Sequence, residues 1–403
     1  MKTALVLVVT CLAAVSAKYM TNEVKYADSD FLAKQKVVFE IFMNIWQPEI
    51  HNSYFELAQK WSFDGAKDKY TNAEAYDNFI HYYHYGFLGM NEIFAPFQTE
   101  QNEQMLSLFK LFYYAKDWDT FYNTMVWARF HINPGMFIQA FSMAVLHRDE
   151  YAGFILPAIY ELNPYYFFNN HVISSVHKMK MQGVYKMEHK DDFHTFTFPM
   201  NYTNYYVDTN PESKLAYFME DIGLNSYYYY WNLDYYSFLG GEEFGLNKDR
   251  RGEFYMYQIR QILSRYYLER LSNGLGEIAE INFWEPLETG FYSSLTFFNG
   301  VNFPSRANYY MMYLNKDNHR YLDHLYNYEH RIFDAIDSGF FLMPNGDKLP
   351  FDKPETIEYL GNLIQMNKDS LGNFYYYGML EMLGRRILGG SVQSFDSYHQ
   401  IPR

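Results

Sequence analysis

The fold that we predict for this chain is built around the stretch DIGLNSYYYYWNLDYYSFLG, Asp221–Gly240. Its start is typical of a helix, and four consecutive tyrosines, Tyr227–Tyr230, come directly before Trp231 and Asn232. Taken alone, it is an aromatic core segment without a catalytic group. Together with the residues before it, the pattern predicts a helix over Pro211–Asn232.

The length and the charge of the chain limit the kinds of protein that it can be. With 403 residues, it is long enough for two or three domains with a sizeable core. Its 47 acidic and 33 basic side chains give a net charge of -14. Nucleic-acid binding needs clustered Lys and Arg, so we exclude a nucleic-acid partner. Like-charged molecules repel one another, so this charge fits a protein that stays soluble at high concentration.

The aromatic content is far above what a globular core requires. The chain has 42 Tyr, 36 Phe and 6 Trp, which together make 21% of its residues. Many of these side chains fall in runs such as Asn163–Asn170, NPYYFFNN, whose members cannot all point into a core. We infer selection on the aromatic composition itself, in addition to selection on packing.

The N-terminus, MKTALVLVVTCLAAVSA, is typical of a secretory signal peptide over residues 1–17. Its apolar run is shorter than the ~20 residues that cross a bilayer, and no other segment of that length lacks charges, so we predict no membrane span. The mature chain is predicted to begin near Lys18 and to be secreted. The single cysteine, Cys11, lies inside the signal peptide, which excludes disulfides, thiol catalysis and cysteine-bound zinc from the mature chain.

Apolar residues at helical spacing predict a chain made mainly of helices. Thr71–Glu74 has the pattern of a capping box, and Asn133–Gly135 marks a break between helical segments. Asn169–Asn210 and Glu277–Asn318 are predicted to be irregular. The predicted helices are Asp28–Trp46, one through Phe79 and Tyr83, two or three within Gln101–Glu150, Pro211–Asn232, Asn247–Asn273, His319–Asp337, Pro354–Met366 and Asn373–Leu388.

One glycosylation sequon stands in the polar, irregular stretch. It is Asn201-Tyr202-Thr203, with no proline in the middle. Because a secreted chain passes the glycosylation machinery, we predict a glycan on Asn201. An unmodified surface turn is the alternative.

The chain carries no familiar catalytic motif. It has no GxSxG elbow, no GxxxxGK[ST] phosphate loop and no HExxH pair. His81 and His84 lie three residues apart in a predicted helix and could share a metal, but ordinary helix histidines near a core or interface are the preferred interpretation. His189 and His194 are predicted to lie on a solvated surface, with adventitious metal binding as the alternative.

Two long stretches carry a resemblance to a known family. LFKLFYYAKDWDTFYNTMVWARFHINPGMFIQAFSMAVLHRDE, Leu108–Glu150, and FILPAIYELNPYYFF, Phe154–Phe168, resemble the helices that close the first domain and enter the second in the arthropod haemocyanin superfamily. The resemblance covers essentially the whole mature chain. It implies a mainly α fold with an all-helical N-terminal domain, residues 18–152, and a helical former copper domain, residues 153–403. Family members continue into a β-sandwich domain that this chain stops before, so we expect the second domain to be incomplete at its C-terminal end.

The resemblance also implies where copper ligands would stand. A type-3 copper pair needs six neutral imidazoles, and two of them come from one helix at positions i and i+4. The matching positions for the first copper are Tyr228, Asn232 and Ile259, and those for the second are Leu380 and Gly384. None is a histidine. We therefore predict no metal, no cofactor and no catalytic residue.

Within the superfamily, the aromatic content resembles that of insect hexamerins of the arylphorin type. The resemblance implies a secreted haemolymph storage protein, a non-enzyme without copper or oxygen binding. It further implies hexamers with identical or related subunits, uptake through a fat-body receptor and later storage in fat-body granules.

Three other functions compete with storage. The alternative is a carrier of small apolar ligands or hormone in haemolymph, which a ligand titration would distinguish. An oxygen carrier or phenoloxidase needs the missing histidines. A structural cuticle protein would show repeats or low complexity, which the chain lacks.

Overall fold

A computed structural model of the chain describes residues 27–47, 52–183, 197–203, 210–246, 249–314 and 316–390. Over these ranges the fold is mainly α, which confirms the predicted fold class. The predicted signal peptide, His189 and His194 lie outside the described residues. None of the described helices is both long enough and apolar enough to cross a membrane.

Helices α1 to α16 follow one another along the described part of the chain. Those of the first half are α1 (Ser29–Phe42), α2 (Asn52–Lys60), α3 (Ala73–Tyr85), α4 (Thr99–Tyr113), α5 (Trp118–His131), α6 (Pro134–His147), α7 (Ile159–Leu162) and α8 (Asn170–Gln182). Those of the second half are α9 (Ala216–Met219), α10 (Ile222–Asp234), α11 (Gly241–Phe244), α12 (Arg251–Ser272), α13 (Lys316–Ser338), α14 (Thr356–Gln365), α15 (Phe374–Tyr377) and α16 (Leu380–Gly390).

Regular strand in the described part of the chain is limited to one hairpin. β1 (Phe340–Leu342) pairs antiparallel with β2 (Lys348–Pro350), and Phe341 lies opposite Leu349. Gly346 lies in the turn between them with a φ of +87°, a conformation that favours glycine. The buried ring of Phe341 anchors the hairpin on a cluster that also contains Leu363 of α14.

Cα proximity divides the chain into two compact units, Met1–Ile41 and Phe42–Arg403. In the first unit, Asp28 caps α1, because its Oδ1 accepts a hydrogen bond from the Phe31 amide at 2.7 Å. The helix predicted to reach Trp46 is shorter in the structure and ends at Phe42. Helices on both sides of residue 152 belong to the second unit, so the domain boundary predicted there stays a prediction.

The core of the second unit begins with α4, α5 and α6. The ring of Phe112 on α4 lies 5.9 Å from Phe121 on α5 and 5.6 Å from Phe141 on α6, and all three rings are fully buried. Edge-to-face contacts of this kind add to the stabilisation that comes from apolar burial. The break predicted at Asn133–Gly135 is present, and the Asn133 side chain caps α6 by accepting from the Gly135 amide at 3.0 Å.

Two glycines bring α12 and α14 into backbone contact. A Cβ atom on Gly252 of α12 would overlap the Glu358 carbonyl, and one on Gly361 of α14 would overlap the Gly252 backbone. Beside this crossing, the Glu358 carboxylate accepts from the Glu253 amide and from the Asn362 side chain, each at 2.9 Å. Only residues without a side chain allow these two helices to approach so closely.

The single helix predicted over Pro211–Asn232 is divided in the structure between α9 and α10. Two other local predictions are also corrected. The first half of Asn169–Asn210, predicted to be irregular, contains the helix α8, which Asn169 caps and Gly183 ends in the left-handed conformation. Its polar composition weakens the apolar periodicity on which the prediction relied. At the start of α3, Asn72 is the cap instead of the predicted Thr71–Glu74 box, because Asn72 Oδ1 accepts from the Ala75 amide at 3.0 Å.

Candidate functional site

The central helix α10 places two of the predicted ligand positions on one cavity. Asp221 caps the helix by accepting from the Leu224 amide at 2.6 Å, and the tyrosine run follows within the first three turns. Tyr228 and Asn232 are four residues apart and both line a cavity of about 410 Å³. The side-chain NH₂ group of Asn232 donates to the Tyr228 backbone carbonyl at 2.7 Å, so this donor is already used within the helix.

Helix α16 presents a charged pair to the same cavity. Glu381 and Arg385 stand one turn apart and both line it. The Arg385 guanidinium donates to the Glu381 carboxylate and to the Tyr228 hydroxyl, and its Cζ lies 5.3 Å from the centre of the Tyr228 ring. Arg385 therefore joins α10 and α16 across the cavity.

The two predicted positions on α16 lie elsewhere. Leu380 packs against apolar clusters that include Leu325 on α13, and the atom nearest to a Cβ built on Gly384 is Leu325 Cδ1 at 4.0 Å. Neither residue lines the cavity. Because one residue along a helix turns the side chain by about 100°, the face toward Tyr228 belongs to Glu381 and Arg385. The assignment of Leu380 and Gly384 as former ligand positions stays a prediction.

The third predicted position, Ile259 on α12, is also outside the cavity lining. The same helix contributes Tyr255, one turn earlier, which is buried and hydrogen-bonded to Glu381. Of the five predicted positions, the structure therefore brings together Tyr228 and Asn232 alone. Their assignment as former ligand positions stays a prediction.

Burial controls the ionisation of the cavity side chains. It raises the pKa of the Glu381 carboxyl to about 7, against the lowering effect of its hydrogen bond with Tyr255. It lowers the pKa of Arg385 to about 10, so the guanidinium stays protonated at neutral pH. It also raises the pKa of the Tyr255 phenol, which is neutral at physiological pH. Loss of the proton from Glu381 thus completes an ion pair with Arg385.

These side chains do not fit a copper pair. A fixed guanidinium cation repels a metal ion, an amide is a poor copper ligand, and a phenol ligates only after losing its proton. Across the residues that the structure describes, no group of three or more His, Cys, Asp or Glu side chains is arranged to hold a metal. His81 and His84 are both exposed on α3, and His84 lies 4.0 Å from Asp64.

The rest of the cavity wall comes from segments far apart in the sequence. Ile138 and Gln139 of α6 line it from one side, and Phe303 from another. Sequence patterns missed these residues, because each belongs to an ordinary apolar segment and only the tertiary fold brings them to one place. The aromatic lining residues are Phe94, Phe97, Tyr166, Phe167, Tyr228, Tyr229, Tyr236, Phe238, Phe291, Tyr292 and Phe303.

The predicted glycosylation site lies on the surface. Asn201 is exposed, and Thr203 is held by two contacts: its amide donates to the Glu220 carboxylate at 3.1 Å, and its hydroxyl accepts from the Ser294 amide at 3.2 Å. Attachment of a glycan there stays a prediction.

Comparison with known proteins assigns the family. The model described as "Hemocyanin, copper containing domain" matches residues 158–403, and the one described as "Hemocyanin, all-alpha domain" matches residues 31–153. Hexamerin-1.1 of Anopheles gambiae is 39% identical over 94% of this chain and 55% of its own length. Arylphorin subunit alpha of Manduca sexta is 36% identical over 95% of this chain and 55% of its own length. The chain thus spans about half the length of the curated relatives it matches.

Solved structures agree with this assignment. An activated-state scorpion haemocyanin is 31% identical, with a TM-score of 0.64 over 74% of this chain and 46% of that one. A crustacean haemolymph-type prophenoloxidase has the same TM-score at 22% identity, over 79% of this chain and 48% of that one, and shows the fold alone. The chain belongs to the haemocyanin family and is similar, within it, to hexamerins and arylphorins.

Proposed function

We propose that this chain is part of a secreted storage protein of the haemolymph, which serves as an amino-acid reservoir rich in aromatic residues. The observation that carries the proposal is the side-chain set at the predicted copper position. Tyr228, Asn232, Glu381 and Arg385 hold one another there through hydrogen bonds and an ion pair, and none is a histidine. Such a set favours a structural role over oxygen chemistry.

The placement of the tyrosines supports selection on composition. Tyr375 is 92% exposed and Tyr85 is 81% exposed, so neither contributes much to the core. A tyrosine at such a site adds little to the free energy of unfolding, since burial is the source of aromatic stabilisation. Aromatic side chains kept where they do not stabilise the fold are consistent with a store of aromatic amino acids.

The non-enzymatic character of the chain belongs to the same proposal. Oxygen carriage and phenol oxidation at a type-3 centre both depend on imidazole ligands. Here a guanidinium and a carboxylate occupy the cavity face of α16 instead. An enzyme of another class would need a nucleophile or an acid–base pair aimed at a substrate, and the one acid of raised pKa in the cavity, Glu381, is engaged by Arg385 and Tyr255.

Assembly and location follow from the similarity to hexamerins. We propose that the full protein forms hexamers with identical or related subunits, circulates in the haemolymph and is taken up through a fat-body receptor into storage granules. The net charge of -14 supports solubility at high concentration.

The fate of labelled tyrosine tests the storage role. The natively assembled protein would be labelled with ¹³C-tyrosine and injected into late larvae, with equally labelled serum albumin as the matched control. Storage predicts that the label appears in newly made adult protein and cuticle in clear excess over the albumin control. Label that stays in intact circulating protein through metamorphosis would contradict the proposal.

A further inference from the structure

We propose that the cavity beside α10 and α16 binds a neutral aromatic molecule that carries one hydrogen-bond donor, such as a hydroxyl group. This function goes beyond storage and does not depend on it. Three properties of the cavity support the inference: its walls, its charge balance and a buried acceptor without a partner.

The size and the walls of the cavity suit a ligand with one or more rings. Its volume of about 410 Å³ lies within the usual range for small-molecule sites. Phe94 and Phe97 precede α4, Tyr229 lies on α10, and Phe291 and Phe303 come from the loops after α12. Aromatic rings from separate segments offer faces and edges to a planar ligand, so stacking adds to the gain from apolar burial.

The charge balance favours a neutral ligand. Once Glu381 has lost its proton, Arg385 and Glu381 neutralise each other inside the cavity, and Arg385 also donates to the Tyr228 hydroxyl. A bound anion or cation would leave one charge without compensation in a poorly solvated site, which is costly. A molecule without charge avoids that cost.

The acceptor is the side chain of Asn163. The residue is 7% exposed and lines the cavity, and its Oδ1 has no hydrogen-bond partner among the described residues. The backbone at Asn163 is fixed, because its main-chain N–H donates to the Ile159 carbonyl at 2.7 Å. A buried acceptor without a partner is destabilising, and a ligand hydroxyl or amide N–H that donates to it removes the penalty. The ligand is therefore expected to carry a donor at one end.

Three matched probes test the proposal on the natively assembled protein. 2-Naphthol is neutral and has a donor, 2-methoxynaphthalene is neutral and has none, and 2-naphthoate is an anion. Equilibrium dialysis at pH 8, where Glu381 is ionised and 2-naphthol is still neutral, measures each Kd. We expect saturable binding of one 2-naphthol per chain, 2-methoxynaphthalene about five- to tenfold weaker, and 2-naphthoate at least about tenfold weaker. Absence of 2-naphthol binding, or equal binding of the three probes, would overturn the proposal.

A pair of variants locates the site. Asn163→Leu keeps the side-chain size and removes the acceptor. The variant should therefore bind 2-naphthol and 2-methoxynaphthalene with about equal Kd. Asn327→Leu, at an exposed position on α13, is the matched control and should keep the preference. An unchanged preference in folded Asn163→Leu, as judged by circular dichroism, would refute the assignment of the acceptor. Should that variant not fold, the three-probe series on the unmodified protein decides the proposal alone.

Discussion

At the scale of single residues, ionisable groups link the helices that line the cavity. Arg385 reaches from α16 to the Tyr228 hydroxyl on α10, while Glu381 is held by Arg385 and by Tyr255 of α12. Three helices are thus joined through polar groups in a largely aromatic surrounding. The free energy of this arrangement depends on the ionisation of Glu381.

The first prediction concerns the pH dependence of stability. Burial raises the pKa of Glu381 from the model-compound 4.5 to about 7 in the folded state. The folded state therefore binds the proton more tightly, so the contribution of this carboxyl is fully present below the unfolded pKa and is lost as the pH rises through about 7. Glu381→Gln should reduce the fall in the free energy of unfolding between pH 5 and pH 8 by about 1–3 kcal/mol, measured by urea titration.

An exposed glutamate gives the matched control for that measurement. Glu329 on α13 is exposed, and Glu329→Gln should leave the pH dependence as it is in the unmodified protein. Identical pH dependence in both variants would show that Glu381 does not titrate in this window.

The second prediction concerns Asn201. Secretion from insect cells should add one glycan there, and treatment with a peptide N-glycosidase should convert the asparagine to aspartate, as detected by peptide mass spectrometry. Asn201→Gln should abolish the modification. Thr203→Ser keeps both the sequon and the hydroxyl that accepts from Ser294, so it should remain glycosylated. An unmodified Asn201 in the secreted protein would refute the prediction.

At the scale of elements, close helix approach depends on particular glycines. Gly361 of α14 lies against the backbone of Gly252 on α12, whereas Gly384 of α16 has no atom within 4 Å of an added Cβ except Leu325 Cδ1 at its limit. Both glycines lie inside helices. Because they share a helical position and differ only in the space around an added Cβ, they form a matched pair for substitution.

The third prediction compares an alanine at each position. Gly361→Ala must separate two packed backbones, so it should lower the free energy of unfolding by about 3 kcal/mol or more. Gly384→Ala replaces a poor helix former in open space and should raise it by up to about 1 kcal/mol. Chemical unfolding of the two variants measures both changes. Equal effects would contradict the close packing of α12 on α14.

The helices also show which parts of the fold a sequence pattern predicts. Apolar spacing and caps located the break at Asn133–Gly135 and the long helices near the residues where they occur. The same approach missed α8, because a polar helix has weak apolar periodicity. On α16 the sequence did not single out the residues that face the cavity, Glu381 and Arg385, since a single step along a helix rotates the side chain to another face.

At the scale of the whole molecule, the aromatic side chains occupy three environments. Rings such as Phe112 and Phe141 fill the core, while Tyr85 and Tyr375 stay largely in solvent. The cavity is a third environment, in which rings line a space without filling it. Composition predicted the excess but not the cavity, because residues such as Ile138 reach it only through the tertiary fold.

The fourth prediction follows from the cavity and concerns ligand binding and stability together. A molecule that binds the folded state alone raises the apparent stability. Saturating 2-naphthol should raise the melting temperature of the unmodified protein and of Asn327→Leu, and raise that of Asn163→Leu by less. Differential scanning fluorimetry measures the three shifts, with 2-naphthoate as the negative probe. Equal shifts with 2-naphthol and 2-naphthoate would point to non-specific binding.

The expectation for the predicted copper position is that its side chains exclude the metal. Copper per chain, measured by elemental mass spectrometry on the natively purified protein before and after dialysis against copper, tests it most directly. The arrangement of Tyr228, Asn232, Glu381 and Arg385 predicts a copper content close to zero under both conditions. A content that approaches a full copper pair per chain would contradict the account and reopen the oxygen-carrier function.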